Sequence, residues 1–254
     1  MSHRAAAAIN AWLIKQGSTS VTQSVLDGTQ RLIISPALIS DAQGMFYSAV
    51  VTAAEALKGV AAGQFSWATV KLYYAAFYSV RVLLAMNDVA IFYPKNGKPY
   101  SLRVVAGEAA KKEKGVTHKV VWSVLKAQLP GNPLLGAIGQ QSASEWLMNI
   151  REDINYRTPR FSDPIVPPHF SALDRLGIAR AVAAYIADTS FLYAFDSDHA
   201  VLAFPLECLR SAGVALRRNG AELDASDGAH VRSCLAGTGV DPSSFLEMGR
   251  WQSD

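Results

Sequence analysis

Apolar residues recur at spacings of three and four along most of the chain, the period of helices that turn one face to a core. Ile9, Trp12 and Leu13 form such a stripe over a first helix from about His3 to Gln16, capped by Ser2 and ended by Gly17. A short helix is expected around Val21 to Leu26. Ser35-Pro36 then supplies a cap and a first-turn proline for a long helix to about Val60, with Ile39, Phe46, Val50 and Ala54 in phase. Phe65 to Asn87 is apolar or aromatic nearly all round, which predicts a helix packed on several sides at the centre of a bundle. Its tyrosines read as core. Arg81 is the exception, because a guanidinium there needs an acidic partner or the mouth of a pocket.

Between Val89 and Val105 the period shortens to that of extended chain, and Asn96-Gly97 predicts a hairpin or ordered loop. Lys111 to Lys114 reads as a solvated face or loop. Thr117 is expected to cap a helix to about Leu129, ended by Pro130-Gly131-Asn132-Pro133. Gln141 to Thr158 follows, stopped by Pro159. Beyond Pro164, Pro167 and Pro168, a long helix is expected over Phe170 to Phe195, and another between Pro205 and Gly220. Asp227 and Asp241 each start a short helical piece. The prediction is an all-α chain: an N-terminal helical segment (1–35), a bundle of four to five long helices (36–196), and a C-terminal helical appendage (197–254).

Composition narrows the classes. Half of the 254 residues are apolar and 18% are charged, as in a well-packed globular protein. The net charge of +3 is too small to mark a nucleic-acid surface without clustering. Cys208 and Cys234 are isolated, so no zinc site or disulfide framework is expected, and two free thiols fit a reducing cytoplasm. No export signal is read at the N-terminus. No apolar window approaches the roughly 18 residues of a membrane span, since Arg81 interrupts the most apolar stretch.

Candidate chemistry concentrates between Ser144 and Phe161, where an amphipathic helix ends in two arginines, two carboxylates, an asparagine and a tyrosine. At 100° per residue, Ala143, Trp146, Leu147, Ile150 and Ile154 share the core face. Arg151 and Asn155 fall on one line at its border, placed to meet one ligand. Asp153 and Arg157 are spaced for a helical ion pair of about 0.2–0.5 kcal/mol, and Tyr156 projects elsewhere, over Glu152. A solvated helix end, with basic residues near the C-terminal dipole, accounts for the same residues without any ligand. His118 reads as a surface residue at a helix start. Glu108, Glu113 and His118 lack the spacing of a di-metal bundle, and no Gly-x-Ser-x-Gly appears.

Two segments together resemble signature helices of the HEPN superfamily: Val70-Lys-Leu-Tyr-Tyr-Ala-Ala-Phe-Tyr-Ser-Val-Arg-Val-Leu-Leu-Ala and Trp146-Leu-Met-Asn-Ile-Arg-Glu-Asp-Ile-Asn-Tyr-Arg. The resemblance spans roughly Pro36 to Phe195. It implies a helical bundle, frequently dimeric, of prokaryotic toxin-antitoxin and antiphage systems, and often a metal-independent ribonuclease without cofactor. The family's active motif is an arginine followed after four to six residues by histidine. Arg151 matches the arginine and Glu152 the polar position after it, but Tyr156, Arg157 and Thr158 stand where histidine would be, and the next histidine is His169.

A histidine suits proton transfer near neutral pH, whereas a free tyrosine titrates near 10 and an asparagine not at all. If the chain cleaves RNA, Arg151, Asn155 and Tyr156 are the expected catalytic set, with Glu152, Arg157, Arg160 and Arg81 as RNA or nucleotide contacts and no metal. A homodimer and a protein partner encoded nearby are the expected assemblies. The alternative is a non-catalytic dimerisation or partner-docking module.

Overall fold

A computed structural model describes residues 3–16, 21–94, 97–249 and 251. The chain is mostly helical, with two small sheets, and is an all-α helical bundle. Its centre is a helical hairpin of α2 (Gly28–Ala61) and α3 (Phe65–Ala85), turned at Gly63, whose φ of 71° is the left-handed region that glycine enters without strain. Ala49, Ala53 and Ala56 of α2 and Ala68, Ala75 and Ala76 of α3 are buried, and small side chains let helix axes approach closely.

On α3 burial covers every face but one stripe: Trp67, Lys71, Tyr74, Tyr78 and Arg81, spaced alternately four and three. Trp67 is 51% exposed, so this aromatic does not belong to the core that its helix otherwise forms.

α1 (Arg4–Lys15) lies against α2. Ser2 and Gly17, expected to bound it, fall outside the described residues. The backbone N–H groups of Arg4 and Ala5 instead donate to the carboxylate of Asp41 on α2, at 2.8 and 2.9 Å. Of the short helix expected over Val21 to Leu26, Val21–Gln23 forms a turn of 3₁₀ helix.

α2 starts at Gly28, not at Ser35-Pro36, because Asp27 accepts from the N–H of Gln30 and caps it earlier. Pro36 therefore sits inside the helix. The carbonyl it leaves unpaired belongs to Leu32, which is 77% exposed, so water can satisfy it.

The predicted hairpin is present as antiparallel β1 (Val89–Phe92) and β2 (Tyr100–Arg103), and the exposed β3 (Lys111–Lys112) joins its edge. Asn96 of the expected turn lies outside the described residues. α4 (Thr117–Gln128) follows. Its first residue is Thr117, which does not cap it; the Thr117 hydroxyl accepts from Tyr93 Oη at 2.8 Å. The second small sheet, β4 (Ala137–Ile138) with β5 (Gln141–Ser142), leads into α5 (Ala143–Glu152). α5 begins with a reciprocal capping box of Ser142 and Glu145.

The helix expected over Phe170 to Phe195 divides into α6 (Ser171–Leu176) and α7 (Ile178–Ala187) at Gly177, φ 79°, and the chain is irregular beyond Ala187. α8 (Ala200–Arg218) starts five residues before Pro205 and packs along α3. Its buried Leu202, Phe204, Leu206 and Leu209 share one continuous core with α1 to α5. The division expected near Ser197 thus cuts through that core. α9 (Ala225–Leu235), capped by Asp224 rather than begun at Asp227, packs on α2, and α10 (Pro242–Leu246) is capped by Asp241. Both cysteines are buried free thiols, and among the described residues no helix is long and apolar enough to cross a membrane.

Candidate functional site

α5 buries Ala143, Leu147, Met148 and Arg151, while Trp146, Ile150 and Ile154 are only half-buried. The buried face is therefore rotated toward the arginine. Arg151, expected at the core border, is 5% exposed. Its guanidinium carbon lies 5.0 Å from the ring centre of Tyr73 and 5.9 Å from that of Tyr74, so the two tyrosines of the Tyr-Tyr-Ala segment on α3 form its bed. Glu152 is a loose ionic neighbour at 3.7 Å. Aromatic faces and one carboxylate offset part of the desolvation that so buried a cation suffers.

Below Arg151 the α-helix gives way to a π-helical turn over Asp153–Arg157, closed by the N–H of Thr158 donating to the carbonyl of Asp153 at 2.9 Å. The wider turn changes the phase of every later side chain. Tyr156, expected to project elsewhere, lies over Arg151 at 5.8 Å, a position that a continuing α-helix assigns to Asn155. Asn155 is half-buried on the same turn. Arg157 and Asp153 form the predicted ion pair at 2.7 Å, on the surface, where it is worth little. Arg160 is exposed.

Arg81 does not join this group. It lies two turns further along α3, where its Nη2 donates to His3 Nε2 at 3.1 Å and its guanidinium carbon is 5.9 Å from the Phe77 ring. Of the two settings expected for it, an acidic partner or the mouth of a pocket, it has the second: it lines a pocket with His3 and Asp41.

The residue that sequence reasoning missed is His118. It is half-buried, its ring 5.0 Å from Phe77, 5.5 Å from Tyr73 and 5.7 Å from Tyr74. Burial, and then the Arg151 charge, lower its pKa below the usual imidazole value, while Glu152 acts in the opposite direction. Its ring is therefore neutral at pH 7. No local pattern marks it, because its neighbours come from α3 and α5.

Three polar atoms in this cluster, the Tyr73 hydroxyl, His118 Nδ1 and Arg151 Nε, are buried with no hydrogen-bond partner among the described residues. Burial also raises the Tyr73 hydroxyl well above an ordinary phenol, with Arg151 opposing, so it stays a donor. His169, on a 3₁₀ turn over Pro168–Phe170, meets α3 elsewhere, with Nε2 3.4 Å from the Thr69 hydroxyl. Burial lowers its pKa to about 4. Among the described residues no three His, Cys, Asp or Glu side chains are placed to hold one metal ion.

The arrangement presents a flat guanidinium, a neutral imidazole and a protonated phenol around one aromatic bed. Such a set can bind an anionic oxygen and accept one proton. A scan against models of protein families, a search of curated proteins and a search of solved structures each return no match to this chain.

Proposed function

We propose that the chain binds RNA through the Arg151 cluster and cleaves it without a metal ion, as a ribonuclease of a prokaryotic defence or toxin-antitoxin module. The observation that carries this reading is the convergence of Tyr73, His118 and Arg151, each with a buried polar atom that no described residue pairs. The module assignment rests on the HEPN resemblance alone.

In the proposed reaction, Arg151 donates hydrogen bonds to the scissile phosphate, held flat by Tyr73, Tyr74 and Tyr156. Neutral His118 takes the proton of the neighbouring 2′-hydroxyl, and the 2′-oxygen attacks phosphorus. The bond from phosphorus to the 5′-oxygen breaks, and that oxygen takes a proton from water. The products carry 2′,3′-cyclic phosphate and 5′-hydroxyl ends. His118, on a different helix, thereby fills the role that the family's motif gives to a histidine downstream of the arginine.

The test is incubation of the protein with total RNA in EDTA beside Arg151→Ala and His118→Gln. Cleavage by the wild type, with cyclic phosphate ends and a loss of at least a hundredfold in both variants, is expected. Equal cleavage by all three removes the enzymatic reading.

A second reading, a non-catalytic dimerisation or docking module, is favoured by one specific surface. Trp67 packs edge-on against Phe161 at 5.7 Å, and Trp67 and Ile165 are 51% and 71% exposed near the start of α3. On this reading Trp67→Ser with Ile165→Ser lowers the mass measured by light scattering, and Arg151→Ala does not change it.

A further inference from the structure

α4 begins and α5 ends at the Arg151 cluster. Residues of both helices line a cleft of about 570 Å³. Lys119, next to His118, and Asn149, two residues before Arg151, stand at the near end. Trp122, which stacks on Phe204, and Met148 are each 9% exposed and make an apolar floor. Lys119 and Lys126 are exposed on the α4 wall, seven residues or about 10.5 Å apart along one face.

On the opposite wall Asn149 Nδ2 donates to Gln141 Oε1 at 3.1 Å. That leaves the other half of each amide, one acceptor and one donor, to face a ligand. The carboxylate in the cleft, Glu145, is engaged in capping Ser142.

We propose that this cleft is the base-binding subsite of the Arg151 centre, which rests on the RNA reading above. A nucleobase next to the phosphate held by Arg151 lies on Trp122 and Met148. Its edge meets the Gln141 and Asn149 amides, and the flanking phosphates meet Lys119 and Lys126. An apolar floor, an amide pair that offers both a donor and an acceptor, and two cations at this spacing match a nucleotide with its backbone, and the volume is in the range of small-ligand sites. A cleft lined by two helices, with the bases read on an apolar floor, suits a base turned out of a strand, which selects single-stranded RNA over duplex.

The experiment is fluorescence anisotropy with labelled 2′-O-methyl octanucleotides, which lack the attacking hydroxyl, on the full chain at several salt concentrations. Lys119→Gln with Lys126→Gln is expected to weaken binding at least tenfold and to reduce the slope of log affinity against log salt by about 1.4. Asn149→Ala is expected to change the preference among uridine, cytidine and adenosine octamers while leaving that slope unchanged. All three positions are solvent-facing or half-buried, so unaltered thermal unfolding serves as the control for folding. Binding that Arg151→Ala abolishes but that both cleft variants leave within twofold overturns the cleft and keeps the Arg151 reading. No binding of any octamer by the wild type overturns both.

Discussion

The Arg151 guanidinium, on the last turn of α5, lies 5.0 Å from the ring centre of Tyr73 in the middle of α3. This contact joins the polar end of one helix to the most buried helix of the bundle. It makes Arg151 at once a packing residue and the cation of the candidate site, so its two roles have to be separated by choice of substitution.

Arg151→Lys keeps the charge but replaces a flat fork with a point charge, so it cannot lie on Tyr73 and Tyr74 while donating two parallel hydrogen bonds. RNA binding should fall in Arg151→Lys nearly as far as in Arg151→Ala. Both should lower stability by about 1 kcal/mol, about 2–4 °C for a chain of this size. Calorimetry and anisotropy on the same preparations check the pair, and full binding by the lysine variant would contradict the planar-fork role.

Tyr156 acts in this scheme through its ring, which the π-helical turn carries over Arg151. Tyr156→Phe should bind RNA within about twofold of the wild type, whereas Tyr156→Ala should bind about fivefold less tightly, the equivalent of about 1 kcal/mol. A large loss in the phenylalanine variant, measured by anisotropy, would move the role from ring to hydroxyl.

Stability should fall with acid. The pKa values of His118 and His169 are lowered in the folded chain, that of His169 to about 4, against an ordinary value near 6.5. Below that value the unfolded chain takes up more protons, so the stabilisation is complete above about pH 6.5 and is lost as pH falls toward 4. Each histidine contributes at most about 1.4 kcal/mol per pH unit. Urea midpoints between pH 7 and pH 4 should decline more gently in His169→Gln, and a parallel decline would deny His169 the effect. Cleavage should likewise lose its base as His118 protonates, with an acid limb centred below pH 6.5.

Gly213 on α8 is the position at which the C-terminal segment meets the bundle. A β-carbon there would collide with the Met248 carbonyl oxygen. Arg217, one turn later, donates to the Glu247 carbonyl at 2.8 Å and also to that of Met248. Gly213→Ala should therefore displace the segment after α10, cost about 1–3 kcal/mol, and expose the region near Met248 to protease. Unchanged digestion would argue that the segment does not dock as described.

The hydrophobic period located most helices, because helical phase is a local property. Starts and stops were less legible. Ser35-Pro36 is a sound local start, but Asp27 caps eight residues earlier and α2 runs through the proline. Phe170 to Phe195 carries a helical period throughout, yet Gly177 breaks it. The placement of Arg151 beside Tyr73 needed both helices in space, and the move of Tyr156 onto Arg151 needed the π-helical turn, which no residue pattern announces.

Sequence alone was enough for an all-helical bundle and for α3 as its centre. Both follow from side-chain period, whereas Arg151 was singled out by the resemblance and placed at the core border. Only the tertiary structure decided that α8 belongs to the core, that Arg81 lies apart from Arg151, and that His118 belongs with it. The reason is physical: burial, imidazole pKa and guanidinium stacking depend on groups distant in the chain, which come together only when the helices pack.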